Sequence, residues 1–326
     1  CEDAAHTLEA AVDSVFVAAD HLLELLLVVN GSDRETRQVA EKMAVKYSHQ
    51  LVLLEEKKPG VVDAFNKGLQ HARGKYIARM DADDLVLGDR WRKQSAFLDQ
   101  HPEVGLVSGL VAYHAETHFG RKEGFQVYVD WLNGIRTAEQ IAHNLFVESP
   151  LANPSIMARR ACFEKWGSYR DGDFPEDYEL WLRWLEAGIH MEKIPELVLS
   201  WQDHANRLTR NDDRYRTDAF FRIKTKYLAR WLARHNPFHP KVYIWGAGKL
   251  ARKRVKWLGN LGIQISGFFD IDPAKTANNV QHYSEIPEAG KVFLLSYVSN
   301  RGKREEIRAF LEEKGYAMGR DFMLVG

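Results

Sequence analysis

Cysteine is scarce in this chain: Cys1 and Cys162 are the two among 326 residues. That excludes a disulfide framework and fits a reducing compartment. Long apolar runs are lacking too. The longest, Leu22 to Val29, is interrupted by Glu24 and falls far short of the roughly 20 residues that cross a bilayer. Net charge is missing as well, with 45 basic residues against 45 acidic ones, so no overall field favours nucleic acid as a partner. There is no low-complexity tract, no Cys/His array and no internal repeat. What remains is the composition of an ordinary globular protein, long enough for two domains with a core each.

A starting methionine is also absent. Residues 4–18 read as a helix capped near Thr7, with Leu8, Val12, Val15 and Phe16 on one face. A wound α/β domain opens on a strand, and none precedes this helix. The expectation is therefore a chain that has lost its true beginning, with lipidation of Cys1 as the weaker alternative.

From Leu22 onward strand and helix patterns alternate. Strands are expected at Leu25–Val29, Leu51–Leu54, Tyr76–Met80 and Val104–Val111, and helices at Glu35–Tyr47, Val61–Ala72 and Arg90–Gln100. This order predicts an α/β fold with a mostly parallel sheet covered on both faces. Ala112 to Ser149 reads as less regular, a candidate acceptor-side insertion. A helix begins at Pro175-Glu176-Asp177, and Leu197–Trp201 is strand-like. Residues 214–234 form a long helix with seven basic residues and one acid, Asp218. Its stripe of Phe220, Ile223, Tyr227 and Trp231 suits packing on a neighbouring domain; lying on an anionic membrane surface is the alternative. The break at Asn236-Pro237-Phe238-His239-Pro240 marks a boundary. The expected division is a domain over 1–210, a linking basic helix over 211–239 and a small α/β domain over 240–326.

The densest chemistry lies at Lys75-Tyr76-Ile77-Ala78-Arg79-Met80-Asp81-Ala82-Asp83-Asp84. A strand runs directly into three carboxylates. Such a cluster at a strand end is costly unless a cation or charged ligand neutralises it. Hard oxygen ligands on a tight turn suit Mg²⁺ or Mn²⁺, which in turn hold substrate phosphates. Open α/β sheets bind ligands at the carboxyl ends of their strands. The competing reading is an Asp-rich surface turn.

The motifs together resemble the family 2 inverting glycosyltransferases. They are Asn66-Lys67-Gly68-Leu69, the run through Asp84, then Arg90, Gln94, Phe97-Leu98 and Pro102. Asn153-Pro154-Ser155-Ile156-Met157, Glu164-Lys165-Trp166-Gly167-Ser168-Tyr169-Arg170 and Glu176-Asp177-Tyr178-Glu179-Leu180-Trp181-Leu182-Arg183 follow in order. The resemblance covers about residues 1–210 and implies a GT-A fold, a nucleotide-binding half followed by an acceptor-binding half. It implies an inverting, non-processive transfer from a UDP-linked sugar to a hydroxyl of a glycan or lipid-linked saccharide, in cell-surface polysaccharide synthesis. Asp177 would be the catalytic base, kept ionised by the helix dipole. Asp83, Asp81 and His204 would hold Mn²⁺ or Mg²⁺. Asn30, Asp63, Asn66, Lys67, Asp81, Ala82, Asp83 and Glu176 would line the nucleotide-sugar site, with Asp84 behind the metal ligands. A cytoplasmic enzyme, with peripheral contact at the inner face of the cell membrane, is the implied setting.

The sequence departs from the family pattern at two turns. Asn30-Gly31-Ser32-Asp33 stands where Asp-Asp-Gly-Ser is common, and Asn153 stands where His often precedes the proline. Taken without the resemblance, Glu176 and Asp177 are ordinary first-turn acids and His204 is a solvated loop residue.

Near the end, Trp245-Gly246-Ala247-Gly248-Lys249-Leu250-Ala251, with Asp270 closing the next strand, is a truncated dinucleotide fingerprint. Gly246 and Gly248 would admit a pyrophosphate to a helix N-terminus, and Asp270 would meet a ribose hydroxyl. The module resembles the small Rossmann-like domains fused to some bacterial sugar-modifying enzymes. A packing turn is an equal reading. The alternatives to transfer are thus an NAD(P)-dependent oxidoreductase or epimerase at this turn, or a non-catalytic sugar-nucleotide sensor.

Overall fold

The computed structural model of the chain describes residues 4–17, 22–115, 122–204, 212–272 and 279–326. Cys1 and Ala205-Asn206-Arg207 lie outside them. The chain divides into two compact units, Cys1–Ile141 with Pro150–Asp213, and Ala142–Ser149 with Arg214–Gly326.

The first unit opens with α1 (Leu8–Val17), which buries Leu8, Ala11, Val12 and Val15 at helical spacing. Strands β1 (Leu25–Asn30) and β2 (Leu51–Glu56) pair in parallel around α2 (Arg34–Lys46). Asp33 caps α2, its Oδ1 accepting the Thr36 amide at 2.7 Å. Helix α3 (Val61–His71) starts at Gly60, whose φ of 129° suits only glycine. There follow β3 (Tyr76–Ala78), β4 (Leu85–Val86), α4 (Arg90–Gln100), β5 (Val104–Ala115), α5 (Lys122–Gly134) and α6 (Ala138–Asn144). The rest is β6 (Met157–Arg159), α7 (Arg160–Trp166), α8 (Glu176–Glu186) and β7 (His190–Asp203).

Five of these strands form one sheet in the order β3-β6-β5-β7-β4. β5 and β7 run parallel from Val104 opposite His190 to Ala115 opposite Asp203. β6 and β4 enter antiparallel to their neighbours. Across both units most pairings are parallel, as expected. The antiparallel members are short strands at the ends of the Asp81–Asp84 turn and the Asn153–Ser155 turn. The core beneath them is aliphatic and aromatic, with Leu98, Val104, Val107 and Leu199 fully enclosed.

Two expectations are corrected. β3 stops at Ala78 rather than Met80, because the Arg79 carbonyl leaves the ladder and accepts from the Arg90 guanidinium. The segment from Ala112 to Ser149 is more regular than its sequence suggests. β5 continues to Ala115 because β7 is long enough to pair with it, and α5 buries Val129 and Leu132 on the sheet.

The second unit carries α9 (Thr217–His235), β8 (Lys241–Trp245), α10 (Lys249–Gly259), β9 (Gln264–Asp270) and β10 (Val280–His282). β11 (Leu294–Ser296), α11 (Lys303–Glu313) and β12 (Phe322–Leu324) complete it. Its sheet is wholly parallel in the order β10-β9-β8-β11-β12. Counted from β8 this is 3-2-1-4-5, the winding of Rossmann-like sheets. The apolar stripe of α9 packs inside this unit: Ile223 and Tyr227 are buried, and Trp231 meets Phe146 and Phe293 at ring-centroid distances of 6.0 and 6.1 Å. Among the described residues no helix is long and apolar enough to cross a membrane.

Where the sequence drew α9 as a linker, the compact units group it with the small domain and with Ala142–Ser149. Lys224 explains the grouping. Its buried ammonium donates to the Phe146 and Val147 carbonyls, both at 2.9 Å, and to the Val325 carbonyl at 2.6 Å. Lys224→Met should strand buried acceptors and destabilise this unit by about 2 kcal/mol or more. Urea unfolding followed by tryptophan fluorescence measures the loss; an unchanged midpoint would show that the three carbonyls are satisfied without the lysine.

Candidate active site

The turn after β3 brings the Asp81, Asp83 and Asp84 carboxylates together, with one oxygen of each within 4.8 Å of the others. Their surroundings differ. Asp84 is 1% exposed, and its Oδ1 accepts the Gln202 amide at 2.8 Å, which ties the turn to the end of β7. That strand delivers His204, whose Nε2 donates to Asp83 Oδ2 at 2.8 Å. Asp81 forms an ion pair with Arg79. Carboxylate oxygens beside one imidazole suit a hard divalent cation such as Mg²⁺ or Mn²⁺. The three expected metal-site residues therefore share one neighbourhood, reached from chain positions more than a hundred apart.

Glu176 and Asp177 open α8, just after Pro175. The Asp177 Oδ1 accepts the Tyr178 amide at 2.7 Å. Burial, and then the Glu176 carboxylate, raise the Asp177 pKa from 3.8 to about 7; the Tyr178 amide and Arg79 oppose them, and Asp81 adds to the rise. This corrects the expectation of a carboxylate kept ionised by the helix dipole. At this helix start, loss of hydration and a second acid outweigh the dipole. Arg79 stands between the two groups of acids. Burial works against its charge, yet Asp81, the Tyr169 hydroxyl and Glu176 outweigh it and hold its pKa above the ordinary arginine value.

A second network fixes the approach to this site. The Arg183 guanidinium donates to the Trp166, Gly167 and Ser168 carbonyls and to Glu179, which is itself buried. The clamped loop then reaches Asn66: Ser168 Oγ donates to Asn66 Oδ1 at 2.5 Å, and Asn66 Nδ2 donates to the Tyr169 carbonyl at 3.0 Å. The Tyr169 hydroxyl donates to Asn153 Oδ1 at 2.5 Å. Asn66 and Asn153 thus join α3, the 168–169 loop and the Asn153–Ser155 turn.

The remaining expected nucleotide contacts lie around the ends of β1 and β2. Asn30 is 5% exposed; its Oδ1 accepts the Gly60 amide at 2.9 Å, and its Nδ2 donates to the Lys58 carbonyl. Both ends of this amide are engaged by the 58–60 loop. Asp63 pairs with Lys58 at 2.9 Å. Lys67 is half-buried on α3, and its carbonyl accepts from His71 Nδ1. Ala82 packs against the core of β1 and α2.

In the second unit, Gly246 takes φ 107° and Gly248 precedes α10. Asp270 Oδ2 accepts the Ala247 amide at 2.7 Å, and its Oδ1 accepts the Asp272 amide at 3.0 Å. The three expected dinucleotide residues do meet, with the acid bonded to the glycine turn itself.

Arg79, Tyr169, Glu179 and Arg183 join these networks without a site role expected from the sequence. Arg183 and Glu179 carry the clearest signal, an acid and a base four apart on the face of α8 that also bears buried Trp184 and Leu180.

These groups gather three carboxylates, an imidazole and an arginine on an α/β fold. The sequence pattern of Glycosyl transferase family 2 matches residues 2–167, half of the chain, and the chain belongs to that family. An uncharacterised glycosyltransferase of Haemophilus influenzae is 28% identical over 177 residues, 54% of this chain and 62% of the relative. The chain thus spans less than two thirds of that protein. The amylovoran biosynthesis glycosyltransferase AmsE of Erwinia amylovora is 28% identical, over 59% of this chain and 69% of its own length. Among solved structures, TarS 1-349 of S. aureus in complex with UDP-GlcNAc aligns with a TM-score of 0.51 at 14% identity, covering 80% of this chain and 78% of that one. The mannosyltransferase PcManGT of Pyrobaculum calidifontis, in complex with GDP-Man and Mn²⁺, aligns at 0.50 and 19% identity, over 72% and 61%. Both likenesses are likenesses of fold and agree with the expected GT-A type.

The raised Asp177 pKa has a direct consequence for stability. The folded chain holds a proton at Asp177 up to about pH 7, whereas the unfolded chain releases it near 3.8. Stability contributed by this group therefore falls as pH rises between those values. With EDTA present, Asp177→Asn should melt higher than the parent at pH 8, by on the order of 5 °C. The gap should close toward pH 4. A gap independent of pH would mean that Asp177 titrates normally.

Proposed function

We propose that the chain is an inverting glycosyltransferase. It moves a glycosyl group from a UDP-linked donor to a hydroxyl of a glycan or lipid-linked saccharide in the synthesis of a surface polysaccharide. The observation that carries this reading is the convergence of Asp81, Asp83 and His204 with the Glu176-Asp177 helix start, Arg79 lying between them. AmsE, by its name an enzyme of amylovoran biosynthesis, supports the polysaccharide setting. The UDP-GlcNAc and GDP-Man complexes support a nucleotide-sugar donor.

In an inverting transfer the acceptor oxygen attacks the anomeric carbon from the side opposite the leaving group. One carbon–oxygen bond forms as the bond to the nucleoside diphosphate breaks, and the hydroxyl proton passes to a base. Asp177 is that base. A pKa of about 7 makes it a stronger proton acceptor than an ordinary aspartate while leaving much of it ionised at neutral pH. Asp83, Asp81 and His204 would hold Mn²⁺ or Mg²⁺, which when bound would stabilise the charge that the leaving diphosphate gains. Arg79 balances the acids on both sides, so the base and the metal ligands keep their places without mutual repulsion. The Asn66–Ser168–Tyr169–Asn153 network holds the wall of the site still, which lowers the entropic cost of aligning two substrates.

Calorimetric titration with UDP and GDP, with and without Mn²⁺, tests this reading. The parent should bind UDP in a metal-dependent manner, and Asp83→Ala should lose at least about tenfold in that affinity. Asp177→Asn should keep nucleotide binding and lose about a hundredfold or more in turnover. Nucleotide binding indifferent to EDTA would overturn the metal assignment. Binding of NAD in place of both nucleotides would move the site to the Gly246–Gly248 turn.

A further inference from the structure

Arg90 is fully buried at the start of α4, beneath the Asp81–Asp84 turn. Among the described residues it makes no hydrogen bond to a carboxylate. Its Nη2 donates to the Arg79 carbonyl at 3.0 Å and to the Ile156 carbonyl at 3.1 Å, and its Nε donates to Gln94 Oε1 at 3.0 Å. Gln94, equally buried, extends the reach: its Nε2 donates to the Ser155 carbonyl at 2.9 Å. The Arg79 amide in turn donates to the same Ile156 carbonyl at 3.1 Å. Ser155 is anchored from below by its hydroxyl contact with Ser108 at 2.6 Å.

A buried cation is costly, and an apolar side chain of similar volume is often as stable or more so. Burial does depress the Arg90 pKa, to about 9, against the favourable field of Asp84. The guanidinium therefore needs a reason beyond stability. One is visible in what it grips. The Arg79 carbonyl lies two residues before Asp81, and the Ile156 carbonyl lies three residues after Asn153. One nitrogen that binds both, Nη2, on a guanidinium plane held in turn by the Nε bond to Gln94, sets the direction in which the chain leaves β3 and the position of the Asn153–Ser155 turn relative to it. A lysine, with one ammonium on a flexible stem, has no second nitrogen to hold Gln94 while the first takes the two carbonyls.

We propose that Arg90, with Gln94 as its partner, is a positioning residue that aims Asp81 and Asp83 at the metal–diphosphate site by clamping the Arg79 and Ile156 carbonyls. The assignment rests on the nucleotide-sugar reading above. It touches no substrate and acts through the backbone of the Asp turn. Loss of the clamp should loosen the metal ligands while leaving the β1 and β2 side of the site unchanged.

The test is calorimetry of UDP, with GDP in parallel, binding to the full chain in Mn²⁺ and in EDTA, for the parent, Arg90→Met, Arg90→Lys and Gln94→Met. Thermal melts accompany each titration. Arg90→Met and Arg90→Lys should weaken the Mn²⁺-dependent affinity at least tenfold, and Gln94→Met should weaken it less. Binding in EDTA should stay within twofold, and the melting temperature of Arg90→Met should not fall. A purely structural arginine gives the reverse pattern, a lower melting temperature with the Mn²⁺-dependent affinity of the folded protein unchanged; that result overturns the proposal. If Arg90→Met does not fold, the same comparison on Gln94→Met decides, with unchanged Mn²⁺-dependent affinity again overturning it. A parent that binds neither nucleotide in a metal-dependent manner refutes the nucleotide-sugar reading itself, before any variant is compared.

Discussion

Negative charge crowded at one end of a sheet governs the first unit. Asp81, Asp83 and Asp84 share a turn, and Glu176 and Asp177 start a helix within electrostatic reach of it. Without compensation such a cluster would open the turn or protonate its members. One buried arginine, one half-buried arginine and one amide oppose the first outcome. Arg79 pairs with Asp81, Arg90 grips the strand that carries the turn, and the Gln202 amide takes Asp84. At Asp177 burial and the Glu176 carboxylate favour the protonated form.

The rest of the unit serves to keep these groups in register. β5 and β7 make the longest pairing in the sheet, and β7 delivers His204 immediately after its last paired residue, Asp203. Arg183 clamps the loop before Tyr169, so Asn66 and Asn153 meet it in one geometry. Helix α8 carries both Asp177, the proposed base, at its start and this clamp near its end. A single packed helix thus couples the proton acceptor to the wall of the site.

The second unit follows a different logic. Its parallel sheet has the order of a nucleotide-binding fold, yet the Asp270 carboxylate bonds to the Ala247 amide of its own glycine turn. Lys224 draws Ala142–Ser149 and the Val325 carbonyl onto α9. Residues from the middle of the chain therefore belong to this unit, although nothing in their composition distinguishes them from the segment on either side.

The sequence by itself determined the alternation of strands and helices, the metal-type chemistry of Asp81–Asp84 and the family. Periodicity and local motif are short-range properties that the chain carries at each position. Helix α4 was legible to its last residue because His101-Pro102 follows Gln100 and closes it. Only the tertiary structure decided which acid is protonated, which polar residues are structural and where the units divide. The pKa of Asp177 depends on burial and on Glu176, Arg79 and Asp81 at once, and no local pattern encodes their sum. Arg90 is in the sequence one residue of a motif, and it is a buried clamp because the Arg79 and Ile156 carbonyls arrive beside it. Asn30 ties the 58–60 loop through both ends of its amide, which no local pattern encodes. Long-range packing supplies the partners, and the partners determine the chemistry of each side chain.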